Sequence, residues 1–163
     1  MRGDNQVLNI FKPDALQGRT YLVTGASSGI GRQIAIDLSR FGVKCVITGR
    51  NEEQLNVTSK LMHDEPQCVV ADLTVEDSLA SLVAQVDGLN ILIHSAGTLA
   101  IAPVRQITES LMRSCVELNL MAPMTLTGKL LRAGKIEKGG SIVFLSSVGA
   151  SVGIAGNAIY SAT

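Results

Sequence analysis

Three glycines in the first fifth of the chain have the spacing of an anion-binding turn. Gly25, Gly29 and Gly31 follow the apolar run Tyr21-Leu22-Val23 and open the amphipathic stretch from Ile30 to Phe41. That order predicts a strand, a glycine turn and a helix, whose first backbone N–H groups are free to bind a negative group. The chemistry indicated is pyrophosphate binding, against Gly25, Ser27, Ser28, Gly29, Ile30 and Gly31. The alternative is a glycine-rich turn that holds nothing.

A basic side chain follows the next apolar run. Residues 43–48 predict a second strand, and Gly49 and Arg50 come directly after it. In dinucleotide-binding folds, an acidic side chain near this strand end binds the ribose hydroxyls, whereas an arginine accommodates a 2′-phosphate. Position 49 carries no carboxylate that would repel that phosphate. We therefore expect NADP(H) to be preferred over NAD(H), by about one to two decades in affinity. The alternative is an arginine that only faces solvent.

The elements that position these residues alternate along the chain. Five short apolar runs predict strands near 19–24, 43–48, 68–71, 90–94 and 141–145, with helices between them. Residues 1–18 read as a lead-in to the first strand. Gly139-Gly140 is expected to break the chain before the fifth strand, and Thr108 is expected to be the N-cap of the helix that follows it. Continuous apolar strands indicate a sheet that is covered on both faces. Right-handed crossovers then give an α/β, Rossmann-type, doubly wound parallel sheet of order 3-2-1-4-5. We expect a single domain over residues 1–163, with the ligand crevice between strands one and four.

Composition narrows the classes of partner. The 163 residues carry 14 basic and 14 acidic side chains, and 46% of them are hydrophobic. Zero net charge without a charged run argues against nucleic acid and membrane surfaces as partners. The chain shows no signal peptide and no apolar run long enough to span a membrane, so a cytoplasmic location is expected. Cys45, Cys68 and Cys115 are expected to be buried reduced thiols, without the spacing of a metal site.

From about Leu16 to its last residue, the chain resembles the short-chain dehydrogenase/reductase family, classical type. Thr24-Gly25-x-x-x-Gly29-x-Gly31 matches the cofactor motif of that family, and Asp72-Leu73 matches the pair that contacts adenine. The segment from His94 to Gly97 stands where the family usually has Asn-Asn-Ala-Gly. The resemblance implies further cofactor contacts at Asp72, Leu73, Ser95, Ala96 and Gly97.

The same resemblance implies three catalytic residues. Asn119 falls at the active-site asparagine of the family, and Ser147 with Tyr160, 13 residues later, matches its serine and tyrosine. The reaction implied is hydride transfer between nicotinamide and a carbonyl or alcohol. Tyr160 would act as the general acid or base that transfers the proton, and Ser147 would hold the substrate oxygen. The implied protein is an NAD(P)(H)-dependent oxidoreductase of small molecules, a homo-oligomer when full length. Taken alone, Ser147 would fit a serine in a turn, and Tyr160 would fit a tyrosine that serves only for packing.

Two departures from the family pattern stand out. Ser95 replaces an asparagine that braces the central sheet in the family, and a serine makes fewer hydrogen bonds. The family motif Tyr-x-x-x-Lys is incomplete in this sequence, because Thr163 is the last residue and the lysine position would come next. We read the domain as C-terminally truncated and expect these 163 residues to be inactive. Residues from about 148 onward are expected to be mobile or misplaced, and strand 141–145 to be an apolar edge that self-associates.

Two other functions stay open. The absent lysine would suit a module that binds dinucleotide or forms dimers without catalysis. A nucleotide-sugar epimerase or dehydratase of the extended branch of the family is the other alternative. The three-residue gap between Gly25 and Gly29 argues against it, because that branch resembles Gly-x-x-Gly-x-x-Gly.

A proline is predicted to interrupt the long helix between Thr108 and Ala133. Pro123 has no N–H for the carbonyl of Asn119, so we expect a local kink there, with that carbonyl bonded to water. Two further side chains, Arg32 and Lys44, are expected to face solvent. His94 is expected to be a satisfied histidine at a strand end.

Overall fold

The computed structural model describes residues 16–163, and five parallel strands form one sheet within them. The strands are β1 (Thr20–Thr24), β2 (Lys44–Gly49), β3 (Gln67–Val70), β4 (Leu89–His94) and β5 (Ile136–Phe144). Their order is β3-β2-β1-β4-β5. The predicted order and the predicted parallel sheet are confirmed. Most of the lead-in predicted for residues 1–18 lies outside the described residues.

Six α-helices connect and cover these strands within the described part of the chain. They are α1 (Gly29–Ser39), α2 (Glu52–Leu61), α3 (Glu76–Gln85), α4 (Glu109–Val116), α5 (Ala122–Arg132) and α6 (Ala158–Ser161). The Thr108 hydroxyl accepts a hydrogen bond from the Leu111 N–H, so it caps α4 as the sequence predicts. None of the helices in residues 16–163 has the length and apolar character needed to cross a membrane.

Alternate residues of the strands pack into two separate hydrophobic cores, one on each face of the sheet. On one face Leu22 and Leu92 pack with Leu79 of α3 and Leu126 of α5. On the other face Tyr21, Val23 and Ile93 pack with the apolar sides of α1 and α2. Both faces of β1 and β4 are therefore buried, which explains why these strands read as continuous apolar runs.

The fifth strand is longer than its apolar run predicts. It begins at Ile136 and passes through Gly139-Gly140, which we expected to break the chain. The pairing slips on the way, because Leu89 faces Ile136 whereas Ile91 faces Ser141. The glycines thus lie at a bulge-like register shift inside a continuing strand rather than at its boundary. Within the described sheet β5 is an edge strand, and Val143 and Phe144 on it are exposed.

The break predicted near Pro123 takes the form of a π turn. Glu117–Met121 are wound as a π-helix between α4 and α5, and the Ala122 N–H donates to the Glu117 carbonyl. The hydrogen-bond register thus changes just before the proline, which has no N–H to donate. Water binding at the Asn119 carbonyl stays a prediction.

The cysteines differ in burial. Cys45 and Cys115 are buried, as expected, but Cys68 is exposed. It lies on β3, whose outer edge has no neighbouring strand among the described residues. The prediction that Cys68 is buried, which rested on its apolar sequence neighbours, is therefore wrong.

Candidate functional site

A cleft of about 530 Å³ lies beyond the carboxyl ends of β1 and β4. It brings together every site residue predicted from the sequence except Asp72. The predicted residues that line it are Gly25, Ser27, Ser28, Gly29, Ile30, Gly31, Arg50, Leu73, Ser95, Ala96, Gly97, Asn119, Ser147 and Tyr160. Lining residues outside the predicted site set include Gly49, Thr98, Leu118, Ser146, Ala150 and Thr163. The cleft stands where a doubly wound sheet reverses its strand order, which is the usual ligand position in such folds.

Close backbone packing explains two of the glycines. Gly25 has φ of 67°, and a Cβ on it would lie 2.6 Å from the Cα of Ala96. A Cβ on Gly31 would lie 2.5 Å from the Gly25 carbonyl oxygen. Gly31 therefore allows α1 to approach the turn that precedes it. Both positions hold the start of α1 at the floor of the cleft.

Thr24 joins the ends of β1 and β4. Its buried hydroxyl accepts hydrogen bonds from the backbone N–H groups of Ser95 and Ala96, each at 3.1 Å. The link between these strand ends therefore runs through the Thr24 side chain and the backbone after β4. Sequence reasoning missed this role, although a threonine directly before the first glycine of the turn was a usable signal.

Asn119 is held in the π turn by a pair of backbone contacts. Its Oδ1 accepts from the Thr98 N–H at 2.8 Å, and its Nδ2 donates to the Thr98 carbonyl at 3.0 Å. Nδ2 also donates to the Thr163 hydroxyl at 3.1 Å, which in turn donates to the Tyr160 carbonyl at 3.0 Å. The side chain of Asn119 thus joins the loop after β4 to the helix that carries Tyr160.

Ser147 and Tyr160 both lie close to Gly149. A Cβ on that glycine would lie 3.4 Å from Ser147 Oγ and 3.5 Å from Tyr160 Cε1. Ser147 Oγ accepts a hydrogen bond from the Gly149 N–H at 3.1 Å, which fixes the hydroxyl at the end of the loop after β5. Both side chains line the cleft, so the misplacement expected from about residue 148 onward is wrong; mobility of this segment stays a prediction.

Arg50 and Asp72 form an exposed ion pair at the adenine end expected for the cleft. Arg50 Nη1 lies 4.0 Å from Asp72 Oδ2. Hydrogen bonds from the hydroxyl and the N–H of Thr74 lower the pKa of Asp72, and the Arg50 charge adds to that effect. The Thr74 hydroxyl is thus bonded to Asp72 and does not cap α3, whose N-cap is Val75. Asp72 does not itself line the cleft, but it contacts Arg50, which does.

His94 lies behind the cleft wall. Its Nε2 is 2.9 Å from the Thr127 hydroxyl, and its ring stacks on Phe144 with the centroids 4.8 Å apart. Its Nδ1 is buried and has no hydrogen-bond partner in the described residues, so the expectation of a satisfied histidine holds for one nitrogen only. Burial lowers the pKa of His94 to about 4, which keeps the ring neutral near pH 7.

A sequence model described as short chain dehydrogenase matches residues 19–163. The chain belongs to this family. The resemblance seen in the glycine turn, Asn119, Ser147 and Tyr160 is thereby confirmed at the level of the family. Among its relatives is the 3-oxoacyl-(acyl-carrier-protein) reductase FabG of Rickettsia prowazekii, 32% identical over 87% of this chain. The uncharacterized oxidoreductase YciK of Escherichia coli K12 is 34% identical over 93% of this chain.

Solved structures give the same family. A candidate short chain dehydrogenase from Escherichia coli CFT073, in complex with NADPH, superposes with a TM-score of 0.83 at 31% identity. That match covers 93% of this chain and 68% of the other. The chain spans 58% of the length of the R. prowazekii reductase and 63% of YciK.

Proposed function

We propose that this chain forms the dinucleotide-binding and catalytic part of an NAD(P)(H)-dependent oxidoreductase that interconverts a carbonyl and an alcohol. One observation carries the proposal: Ser147 and Tyr160 meet the glycine turn and Asn119 in a single cleft. Family membership supports the reaction class, and relatives named as reductases support it further.

The residues at the start of α1 fit a dinucleotide. The N-cap Ser28 makes no side-chain hydrogen bond to the helix, so it leaves the first N–H groups available to an anion. A Cβ on Gly29 would meet no atom within 4 Å, so the turn is open to a phosphate. The ribose and adenine would lie toward Arg50 and Leu73, and the nicotinamide toward Ser147 and Tyr160. The bound dinucleotide supplies or accepts the hydride at the substrate carbon.

The hydroxyl groups of the chain would handle the proton and the oxygen. In carbonyl reduction, Tyr160 Oη donates a proton to the substrate oxygen, and in alcohol oxidation it accepts that proton. Ser147 Oγ, which accepts from the Gly149 N–H, keeps its own proton to donate to the same oxygen. Asn119 acts on the loop and the helix around this centre through its bonds to Thr98 and Thr163.

The test is NAD(P)H-dependent reduction of small carbonyl compounds by the full-length protein that carries this chain. Tyr160→Phe keeps the ring and removes the hydroxyl, and we expect kcat to fall by about 10²- to 10⁴-fold with cofactor binding retained. The matched control is Tyr21→Phe at the other tyrosine of the chain. The Tyr21 hydroxyl is buried without a partner among the described residues, so its removal should leave kcat unchanged. Equal kcat in both variants would contradict the assignment of Tyr160. Cofactor binding without any turnover in the parent would favour the non-catalytic module instead.

We further propose that the site prefers NADP(H) to NAD(H). Two-thirds of the Arg50 side chain is exposed, so the guanidinium is accessible to a 2′-phosphate, and the relatives solved with NADP or NADPH support this use. Arg50→Ala should weaken NADPH binding by about one to two decades, since a charge-assisted hydrogen bond contributes roughly 1.5–3 kcal/mol. NADH binding should hardly change, and Arg40→Ala, on the surface beyond α1, is the matched control. Equal affinities of the parent for the two nucleotides would refute the preference.

A further inference from the structure

The last residue of β2 has little room for a side chain. Gly49 is buried, and a Cβ on it would lie 3.1 Å from Ser27 Oγ and 3.3 Å from Ser27 Cβ. Non-bonded carbon atoms pack favourably at about 3.5–4.0 Å. Leu55 Cδ2, at 3.6 Å from the same point, closes the other side. A side chain at position 49 would therefore need Ser27 to move.

Ser27 stands in a segment that is tied on several sides. Its carbonyl accepts a hydrogen bond from the Arg32 guanidinium. The residue before it is held at both ends, since the Ala26 N–H donates to the Thr48 carbonyl at 3.1 Å and the Ala26 carbonyl accepts from the Thr58 hydroxyl at 2.8 Å. Movement of Ser27 away from Gly49 would strain or break these bonds.

We expected Arg32 to face solvent, but its guanidinium group is part of this attachment. Its Nε donates to the hydroxyl of Thr58 at 3.0 Å, and Nη2 donates to Gln54 Oε1 at 2.8 Å. Thr58 is fully buried and lies on α2. The glycine turn is thus connected to α1 and α2 by side chains, which leaves the backbone that carries the Ser27 Cβ little freedom to move.

A carboxylate at position 49 would also change which of the two cofactors, NADH or NADPH, the site prefers. An acidic side chain near the end of the second strand binds the 2′- and 3′-hydroxyls of an unphosphorylated ribose. We propose that Ser27 is a specificity-determining residue: its hydroxymethyl group fills the space beside Gly49, excludes an acidic side chain there, and leaves Arg50 to meet the ribose. This inference rests on the proposed binding of a nicotinamide dinucleotide. Cofactor choice then belongs to the pair Ser27 and Gly49 together with Arg50, and a substitution at position 49 alone cannot reverse it.

The test is a double-mutant cycle in the full-length protein, with dissociation constants for NADPH and NADH measured by titration. Gly49→Asp alone should weaken both nucleotides at least tenfold, because the new side chain displaces the turn. Ser27→Gly alone should keep the preference for NADPH. The double variant Ser27→Gly/Gly49→Asp should bind NADH at least tenfold more tightly than Gly49→Asp does, and should prefer NADH. Ser27→Ala removes only the closer of the two contacts, that of Oγ. The affinity of Ser27→Ala/Gly49→Asp for NADH should therefore lie between the affinities of Gly49→Asp and of Ser27→Gly/Gly49→Asp.

Two results would overturn the inference. One is a Gly49→Asp variant that already binds NADH as tightly as the double variant does. The other is a double variant whose effects are the sum of the two single ones. Should the aspartate variants fail to fold, Gly49→Ala is compared in the parent and in Ser27→Gly by thermal unfolding. A larger loss of Tm in the parent supports the contact, and equal losses refute it. This last comparison needs no nucleotide, so it separates a failure of the inference from a failure of the proposed function.

Discussion

The buried histidine behind the cleft makes the stability of the chain depend on pH. His94 is 5% exposed, bonded through Nε2 to Thr127 and stacked on Phe144. Burial lowers its pKa from 6.5 to about 4. The unfolded chain therefore takes up a proton near pH 6.5, whereas the folded chain resists it until about pH 4. The free energy of unfolding is unaffected above pH 7 and falls as the pH drops through this window.

The size of the loss follows from the two pKa values of His94. Proton linkage with pKa values of 6.5 and about 4 gives a loss of about 1 kcal/mol at pH 5.5 and about 2–3 kcal/mol at pH 4.5, relative to pH 8. Carboxylates such as Asp72, whose pKa is lowered in the fold, add their own losses toward acid pH. The contribution of His94 must therefore be read as a difference between variants.

Urea unfolding at pH 7.5, 5.5 and 4.5 measures that difference. The His94→Asn variant has no ring to protonate, so its free energy of unfolding should fall less than that of the parent, by about 2–3 kcal/mol at pH 4.5. His63, the other histidine of the chain, is exposed, and His63→Asn is the matched control that should follow the parent. If parent and His94→Asn lose stability in parallel between pH 7.5 and 4.5, the reasoning from burial is refuted.

Two further predictions concern the floor of the cleft. Gly31→Ala should destabilise the chain by about 1–3 kcal/mol, because its Cβ would lie 2.5 Å from the Gly25 carbonyl oxygen. Gly153→Ala, where no atom lies within 4 Å, should leave Tm nearly unchanged, and equal shifts of Tm would contradict the packing argument. Thr24→Val should cost about 1–3 kcal/mol in urea unfolding, because two N–H groups lose their acceptor. Thr48→Val should cost little, since the buried Thr48 hydroxyl has no partner among the described residues; a reversed order would refute the bracing role of Thr24.

Local sequence was a sufficient guide to the elements that carry the site. Apolar runs placed β1, β2 and β4 within a residue or two, because strands buried on both faces leave an uninterrupted apolar signal. Alternation with helices and the handedness of crossovers then determined the strand order. Gly25 and Arg50 were found for the same reason, since each stands directly after a strand end that the pattern locates.

Local sequence misled where the backbone departs from regular geometry. The glycines at 139 and 140 read as a boundary but lie at a bulge-like register shift inside β5. The proline at position 123 predicts a local kink but not the π winding that precedes it, and the kink itself stays a prediction. A strand or helix can continue through such residues when neighbouring elements supply the packing and the hydrogen bonds, and these neighbours are distant in sequence.

The sequence by itself determined the fold, the glycine turn and which hydroxyl and amide residues could do chemistry, because these follow from residue type and spacing along the chain. Only the tertiary structure decided how they are held. Thr24 reaches the backbone 71 and 72 residues away, and Arg32 reaches α2 26 residues on. It also showed that Ser27 fills the space beside Gly49. Contacts of this kind depend on the positions of folded segments to within a few tenths of an ångström, and no periodicity or spacing in the sequence records such a distance.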